Sequence, residues 1–307
     1  MLKIRFWLWA IICVFLPALA ACQGDERAKP YSPSFVQPAS QAPGRPVYTL
    51  AVHPLHNPER LFELYQPLLD IMNASQADFS LRLEASRGYE EFERKIKARG
   101  PDFILPNPYQ TLKAMEEGYQ VLGKMAGDED FRGLILVRKD SGATKASDLR
   151  GQTVAFPAPT ALAATMLPMA WLAGQGLFPV QDYQPLYSGS QESAIRNLLQ
   201  GKARAAATWP VPWKLFAKEE SALAADLAVL AATNTLPNNS LMAKACLPEA
   251  HRARFLEAAQ ALSATPAGTR ALERAGFKGF ESASAQTYQP VRAFLAEYAA
   301  LFGNSLQ

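Results

Sequence analysis

The sequence is poor in the residue types that many enzymes and metal sites use. It has three cysteines and three histidines in 307 residues. His53 and His56 are three apart without a neighbouring Cys or acidic ligand set, and His251 lies on a charged helix face, so we expect no metal centre. Gly-x-Ser-x-Gly, glycine-rich phosphate loops and Cys-x-x-Cys are absent. With no visible nucleophile–base pair, we expect no catalytic residues and no cofactor.

Clusters of charge are also lacking. The formal net charge is +3, and the basic residues are interspersed with acidic ones. A nucleic-acid-binding protein usually gathers its basic residues on one stripe or tail. We therefore expect no nucleic-acid partner.

The first 22 residues have the pattern of an export signal. Lys3 and Arg5 precede an apolar run over residues 6–16, and small residues follow, as in a cleaved signal peptide. Leu19-Ala20-Ala21-Cys22 resembles the bacterial lipobox. That resemblance implies removal of residues 1–21 and lipidation of Cys22, which would anchor the protein to a membrane facing the periplasm or the cell exterior. The alternative is an ordinary signal peptide with a coincidental cysteine.

Processing of this kind would leave a nearly neutral chain without a disulfide. Loss of Lys3 and Arg5 lowers the formal charge from +3 to +1. Cys13 would leave with the signal and Cys22 would carry lipid, so Cys246 has no partner. Residues 22–46 include prolines 30, 33, 38, 43 and 46. Because proline favours extended segments, we expect them to form a tether behind the lipidated cysteine.

Beyond residue 46, short apolar runs alternate with amphipathic segments. We predict strands at Val47–Val52, 102–105, 134–137, Thr153–Phe156 and Ala205–Thr208, and helices from Pro58 and Tyr89 and at 109–117, 161–174 and 191–201. Residues 221–233 predict a buried helix that runs into a strand. Pro168 should kink the helix at 161–174 or mark its true start. The alternation predicts an α/β fold with parallel sheets covered by helices.

Polar, small or aromatic residues stand where the predicted strands give way to helices. Ligands of open parallel sheets bind beyond the carboxyl ends of strands, where helix N-termini present free N–H groups. We therefore expect one cleft formed by His53-Pro54, Gly88-Tyr89, residues 106–109, Thr160-Ala161, residues 189–192 and Trp209-Pro210. Three alternatives remain open. Tyr89 suits a core position, Ser190 suits a helix cap, and Trp209 with Trp213 suits core packing.

Several of these segments occur together in one known family. The matching pieces are the strand at residues 48–54, Gly88-Tyr89, residues 102–109, residues 134–142, residues 148–154 and residues 189–193. In this order they resemble the periplasmic solute-binding proteins of phosphonate, phosphite and phosphate ABC importers, in a lipoprotein form. The resemblance implies a periplasmic binding protein type II-like fold, with two α/β lobes, a hinge and an interlobe cleft. Lobe 1 would comprise residues 47–135 plus 236–307 and lobe 2 residues 136–235, with crossovers at 134–139 and within 227–243.

The resemblance also implies a function and a site. The protein would be the substrate-binding component of an ABC importer, a monomer that captures a small anionic solute and delivers it to an inner-membrane permease and ATPase. The alternative is a sensor that hands its liganded state to a membrane receptor such as a histidine kinase. The expected ligand-binding residues are Tyr89, Pro108, Tyr109, Thr160, Ala161, Leu162, Ala163, Ser190, Gln191 and Trp209.

Three departures from the family pattern concern the ligand. The family's Ser-Thr-Ser-Gly is replaced by Ala161-Leu162-Ala163-Ala164, its His-Asp by Gln191-Glu192, and its Gly-x-Val-Asp by Gly201-Lys202-Ala203-Arg204. Each lost hydroxyl donor costs ~1–3 kcal/mol at a desolvated oxyanion. We therefore expect simple phosphonates and phosphate to bind with dissociation constants above ~10 μM.

Overall fold

The computed structural model describes residues 45–303. The expected signal peptide, Cys22 and most of the expected tether lie outside the described residues. None of the helices in the described part combines the length and the apolar character that a membrane crossing needs.

Strands and helices alternate along the described chain. The strands are β1 Val47–Val52, β2 Ser80–Glu84, β3 Phe103–Leu105, β4 Tyr119–Met125, β5 Arg132–Arg138, β6 Thr153–Phe156, β7 Gln184–Tyr187, β8 Ala205–Thr208, β9 Leu227–Thr235, β10 Ser240–Lys244 and β11 Phe280–Ser282. The α-helices are α1 Pro58–Ala74, α2 Tyr89–Lys97, α3 Pro108–Glu116, α4 Leu167–Gly174, α5 Gln191–Leu199, α6 Pro210–Glu219, α7 Ser221–Ala224, α8 Glu249–Ala261, α9 Pro266–Ala275 and α10 Gln289–Phe302.

The first sheet has the strand order β11-β4-β10-β3-β1-β2. Its parallel part is built on β1, which pairs with β2 on one side and β3 on the other. The strands β10, β4 and β11 extend this sheet in antiparallel pairings. Behind it, Phe103 stacks on Phe255 of α8 at 3.9 Å between ring centroids. This packing holds the start of β3 against α8.

The second sheet has the strand order β7-β6-β8-β5-β9. β6 pairs in parallel with β7 and β8, whereas β5 pairs antiparallel with β8 and β9. Both sheets are therefore mixed, not parallel throughout as the strand–helix alternation predicts. The strands that run against the others are β5 in this sheet and β10 and β11 in the first sheet, and no local pattern reports their direction.

The chain passes between the sheets twice. An outgoing passage, residues 126–131, links β4 to β5, and a return passage, residues 236–239, links β9 to β10. The two are bonded to each other, because Asn238 N donates to Asp128 Oδ1 at 2.9 Å and Leu236 N to Phe131 O at 3.1 Å. The hydroxyl of Tyr288 donates to Asn238 O at 2.7 Å.

The positions of these passages correct two expectations. Residues 134–139 do not cross between sheets, since 134–138 pair with neighbours inside the second sheet. The predicted boundary between residues 135 and 136 falls inside β5 for the same reason. Only residues 236–239 of the predicted second crossover, 227–243, lie between strands.

The helix predicted at residues 161–174 has two parts. Residues Leu162–Met166 form a π-helical turn, and α4 follows from Leu167 with Pro168 in its first turn. Pro168 thus marks the start of the regular helix. A backbone N–H at this position would have no intrahelical acceptor, so the lack of one in proline costs no hydrogen bond.

The segment at residues 221–233 is less buried than predicted. α7 is a single turn, Ser221–Ala224, that buries none of its residues. β9 is the edge strand of its sheet and buries only Leu227.

Candidate ligand-binding site

The carboxyl ends of the parallel strands of both sheets meet around one small cavity. Each of the six loops selected from the sequence contributes to its wall, and so do both passages between the sheets. The lining residues are His53, Tyr89, Asn107, Phe131, Ala161, Leu162, Ala163, Ala164, Gln191, Trp209 and Asn239. The cavity has a volume of about 10 Å³. This size favours a solute with few non-hydrogen atoms.

The π-helical turn supplies backbone donors to the cavity. Ala161 O accepts from Thr165 N at 2.7 Å and from Met166 N at 3.3 Å. The three preceding N–H groups, of Leu162, Ala163 and Ala164, stand at the helix start, where no intrahelical acceptor is within reach. The partial positive charge of a helix N-terminus adds to them. This wall is therefore suited to an anion.

Gly133 fixes the position of that helix start. A Cβ atom added at Gly133 would lie 2.7 Å from Ala163 O and 2.7 Å from the ring of Pro168. Neither the backbone oxygen nor the proline ring can move aside easily. Because residue 133 of β5 has no side chain, the π-helical turn can pack directly on the sheet.

Gln191 joins the two sides of the cavity. Its Nε2 donates to the hydroxyl of Tyr89 at 3.3 Å, and its Oε1 accepts from Thr208 Oγ1 at 3.1 Å. Burial raises the pKa of Tyr89, so its hydroxyl keeps its proton. The tyrosine O–H and the second N–H of Gln191 are thus two further neutral donors at the wall.

His53 provides an acceptor. Its side chain is 2 % exposed, and Nδ1 bonds to Leu105 O at 3.2 Å. A carbonyl oxygen only accepts, so Nδ1 carries the hydrogen and Nε2 a lone pair. Burial lowers the pKa of His53 to about 4, and the bond to Leu105 opposes that shift. The imidazole is therefore neutral near pH 7, and no charged side chain stands among the described residues of the wall.

The passages between the sheets form the floor of the cavity. Phe131 of the outgoing passage lies 5.5 Å from the ring of Trp209. Asn239 of the return passage is fully buried; its Nδ2 lies 3.5 Å from Met125 Sδ. Its Oδ1 is buried and has no hydrogen-bond partner in the part of the chain that is described.

Thr160 bonds to the opposite side of the cleft and does not line the cavity. Its Oγ1 donates to Glu93 Oε1 at 2.5 Å, and its carbonyl accepts from Asn107 Nδ2 at 2.9 Å. Gln110 Nε2 donates to the same Glu93 oxygen at 3.0 Å. We call this group, Glu93, Asn107, Gln110 and Thr160, the interlobe latch. It holds the helix start beside α2 and α3.

Three other expected site residues are also outside the cavity wall. Ser190 caps α5, accepting from Ser193 N at 3.1 Å. Pro108 and Tyr109 are buried in the first turn of α3. In that loop it is Asn107 that reaches the cavity, because its Oδ1 is held by Gln110 N at 3.0 Å in a capping box.

The remaining expected site residues lie together in the cavity wall. Five residues that were not among the expected ligand-binding residues also line it. The expected residues that line the cavity are Tyr89, Ala161, Leu162, Ala163, Gln191 and Trp209, and the other lining residues are His53, Asn107, Phe131, Ala164 and Asn239. His53 and Asn107 could have been found from the sequence, because each lies within two residues of the end of a strand. Phe131 and Asn239 carry no such signal, since the passages follow no periodic pattern.

Comparison with known proteins identifies the fold. A binding protein component of an ABC phosphonate transporter from Pseudomonas aeruginosa superimposes with a TM-score of 0.77 at 14% identity, covering 85% of this chain and 90% of that one. PhnD1 from Prochlorococcus marinus, solved with methylphosphonate, gives 0.74 at 14% identity, covering 82% and 97%. The alkanesulfonate-binding protein SsuA from Xanthomonas axonopodis pv. citri, bound to MOPS, gives 0.54 at 16% identity, covering 84% and 94%. The chain thus has the type II fold of periplasmic binding proteins.

The family follows from the sequence. No curated protein matches the chain. Residues 50–288, most of the described chain, match the family described as ABC transporter, phosphonate, periplasmic substrate-binding protein. The members of this family bind a solute for a transporter and are not enzymes. The chain therefore belongs to the periplasmic substrate-binding proteins of phosphonate-type ABC transporters.

Proposed function

We propose that this protein captures a small oxyanion in the cavity between its two sheets and delivers it to an inner-membrane permease, held at the membrane by lipid on Cys22. The observation that carries the proposal is the wall itself. Three backbone N–H groups at a helix start, the hydroxyl of Tyr89 and the amide of Gln191 converge there without a competing acidic side chain. Preorganised neutral donors in a buried site stabilise an anion without the desolvation penalty of a buried cation.

Adding hydroxyl donors at the helix start tests the anion site. Ala161 and Ala163 are 2 % and 4 % exposed and both line the cavity. In the double variant A161S/A163S, each new hydroxyl that reaches the anion contributes ~1 kcal/mol, so methylphosphonate should bind about 5- to 30-fold more tightly in calorimetry. Ala158→Ser, which adds a hydroxyl outside the wall, is the matched control. No gain in the double variant, or an equal gain in the control, would place the anion elsewhere.

We propose further that each sheet with its helices is one lobe and that the two passages are the hinge. A solute that touches both sets of strand ends favours the closed arrangement, as in other hinge-closing binding proteins. The radius of gyration from solution scattering should then decrease when methylphosphonate is added at saturating concentration. An unchanged radius, with binding confirmed by calorimetry on the same sample, would contradict hinge closure.

Membrane attachment is tested separately, at Cys22. The Cys22→Ser variant should stay unlipidated and leave the membrane fraction, while its folded body binds solute as before. Mass spectrometry of the wild-type N-terminal peptide should find lipid on Cys22. Equal membrane fractionation of the two proteins, with no lipid on the wild type, would refute the anchor.

A further inference from the structure

A second concave site lies at the opposite end of the second sheet from the cavity. This base pocket has a volume of about 430 Å³ and lies where β5 ends and β6 and β8 begin. That volume is within the range of small-molecule sites in proteins. β8 starts at the base pocket and runs towards Trp209 of the cavity wall. A strand of four residues spans ~13 Å, so the two sites are separate.

The lining of the base pocket is positively charged. It includes Arg138, Lys202 and Arg204 and one acidic residue, Asp140, which gives a net charge of +2. Arg138 donates to both carboxylate oxygens of Asp140, from Nε at 2.9 Å and from Nη2 at 2.5 Å. Among residues 45–303, neither Lys202 nor Arg204 forms an ion pair with a carboxylate. The described part of the chain therefore leaves two cations of this lining without a counterion.

Arg204 is held at the pocket by its neighbours and still has an unused donor. Its backbone N–H donates to Thr153 O at 2.8 Å, and its Nη2 donates to Ser141 O. Its Nε is buried and has no hydrogen-bond partner in the described part of the chain. Native proteins keep few buried donors in this state, because leaving the hydrogen bond unmade is unfavourable. An anion bound beside this guanidinium would be an acceptor for it.

The positive charge depends on a segment that departs from the family pattern. Residues 201–204, where the family has Gly-x-Val-Asp, connect α5 to β8 and lie outside the cavity wall. An aspartate in place of Arg204 would leave two cations and two carboxylates in the lining, with no net charge. This departure therefore changes the charge of the base pocket and not the contacts of the cavity.

We propose that the base pocket binds the phosphate group of a phosphate monoester, separately from any solute in the cavity. Such a group carries a charge of about −1.5 to −2 near pH 7, which matches the net charge of the lining. The fork of Arg204 suits two phosphate oxygens, and Lys202 adds a point charge. Gln152 and Thr153 add an amide and a hydroxyl to the lining. The same phosphate group occurs in soluble glycerol phosphates and in the headgroup of phosphatidic acid.

Calorimetry with glycerol 1-phosphate at low salt tests the soluble source. The wild type should bind it with a dissociation constant below ~1 mM. Lys202→Gln should weaken binding by ~3- to 10-fold and Arg204→Gln by at least ~10-fold, whereas Arg204→Lys, which keeps the charge, should lose less. The Lys202 side chain makes no hydrogen bond among the described residues, so Lys202→Gln keeps the test available if the Arg204 variants do not fold. Arg270→Gln removes an exposed arginine of α9 and is the matched control.

Vesicles test the lipid source. The full chain is added to vesicles of phosphatidic acid in phosphatidylcholine and to vesicles of phosphatidylcholine alone. The expected anchor on Cys22 contributes equally to attachment in both cases. If the pocket binds the lipid headgroup, amide hydrogen exchange of residues 200–204 should slow only on the vesicles with phosphatidic acid, and Lys202→Gln should abolish the difference.

The outcomes decide whether the base pocket is a phosphate site. A response to glycerol 1-phosphate, to phosphatidic acid or to both, reduced in Lys202→Gln and not in Arg270→Gln, supports the proposal and identifies the source. No response to either probe would overturn it. An equal loss in Arg270→Gln would also overturn it, because general electrostatic attraction would then explain the binding.

Methylphosphonate distinguishes the base pocket from the proposed cavity site. Glycerol 1-phosphate should bind equally well when methylphosphonate saturates the cavity, and Lys202→Gln should leave methylphosphonate binding unchanged. Competition between the two probes would place both in the cavity and refute the base pocket. If methylphosphonate does not bind while glycerol 1-phosphate does, the proposed function fails and the base pocket stands.

Discussion

Replacing Thr160 with valine separates two roles for this residue. The sequence suggested a direct hydrogen bond to the solute, whereas the structure directs the hydroxyl to Glu93 at 2.5 Å across the cleft. Valine has nearly the same shape and lacks only the hydroxyl. The bond from Asn107 Nδ2 to the Thr160 carbonyl is retained, because it uses the backbone.

The expected effect is moderate and independent of the solute. A hydrogen bond to a carboxylate contributes ~1.5–3 kcal/mol when buried, and partial exposure of Glu93 and Thr160 reduces this to ~1 kcal/mol. When only the closed state loses that free energy, a smaller fraction of the protein is closed. The affinity for every solute should therefore fall by about 5-fold. Methylphosphonate and methanesulfonate should lose affinity by the same factor.

A double-mutant cycle provides the assay. Thr160→Val, Glu93→Gln and their combination are compared by calorimetry, and the two changes should be non-additive because they remove one shared bond. Thr144→Val, an exposed threonine outside the cavity, is the matched control. A different result would contradict this role: the affinity for only one of the two anions falls by more than about 30-fold, and the effects of the two substitutions are additive. Thr160 would then contact the solute directly and would not act through the interlobe latch.

Three other perturbations have defined outcomes. Gly133→Ala should lower the free energy of unfolding by ~1–3 kcal/mol and weaken anion binding, since the new methyl group pushes the helix start out of place; an unchanged urea midpoint and affinity would contradict this packing. Burial lowers the pKa values of His53 and His56 to about 4 and about 3. The unfolded chain, with histidine pKa values near 6.5, therefore takes up these protons first as the pH falls. The histidines' contribution to stability is complete above about pH 6.5. As the pH falls, it should decrease by up to ~1.4 kcal/mol per pH unit for each histidine, down to about pH 4 for His53 and about pH 3 for His56, which urea titrations at several pH values would measure. Tyr288→Phe should remove the hydrogen bond to Asn238 O and speed amide exchange in the return passage, and equal exchange rates would show that this bond does not restrain it.

The sequence located the loops of the site but not always the side chains that reach it. All six loops follow parallel strands, and four of those strands, β1, β3, β6 and β8, were predicted from local patterns. Which residue of a loop faces the cavity depends on distant partners. Ser190 is used as a helix cap, and Thr160 is drawn to Glu93, which is 67 positions away in the chain.

Long-range pairing also explains the errors in the fold. β5 matches its predicted position, yet its apolar run does not report that it pairs antiparallel with β9, so the crossover was placed inside it. β2, β4, β7 and β11 were not predicted. β2, Ser80–Glu84, alternates buried and more exposed residues and was recognisable in principle. β4 shows no such regular alternation, and its position depends on pairing with β10 and β11.

The same residues form the floor of the cavity and the joint between the sheets. Phe131 belongs to the outgoing passage and Asn239 to the return passage, and both line the cavity. In the proposed function, a solute bound in the cavity therefore contacts the joint directly, and no relay through the lobes is needed. Under the same proposal, a substitution at Asn239 that changes selectivity also changes how readily the protein opens, so selectivity and release cannot evolve independently at these two positions.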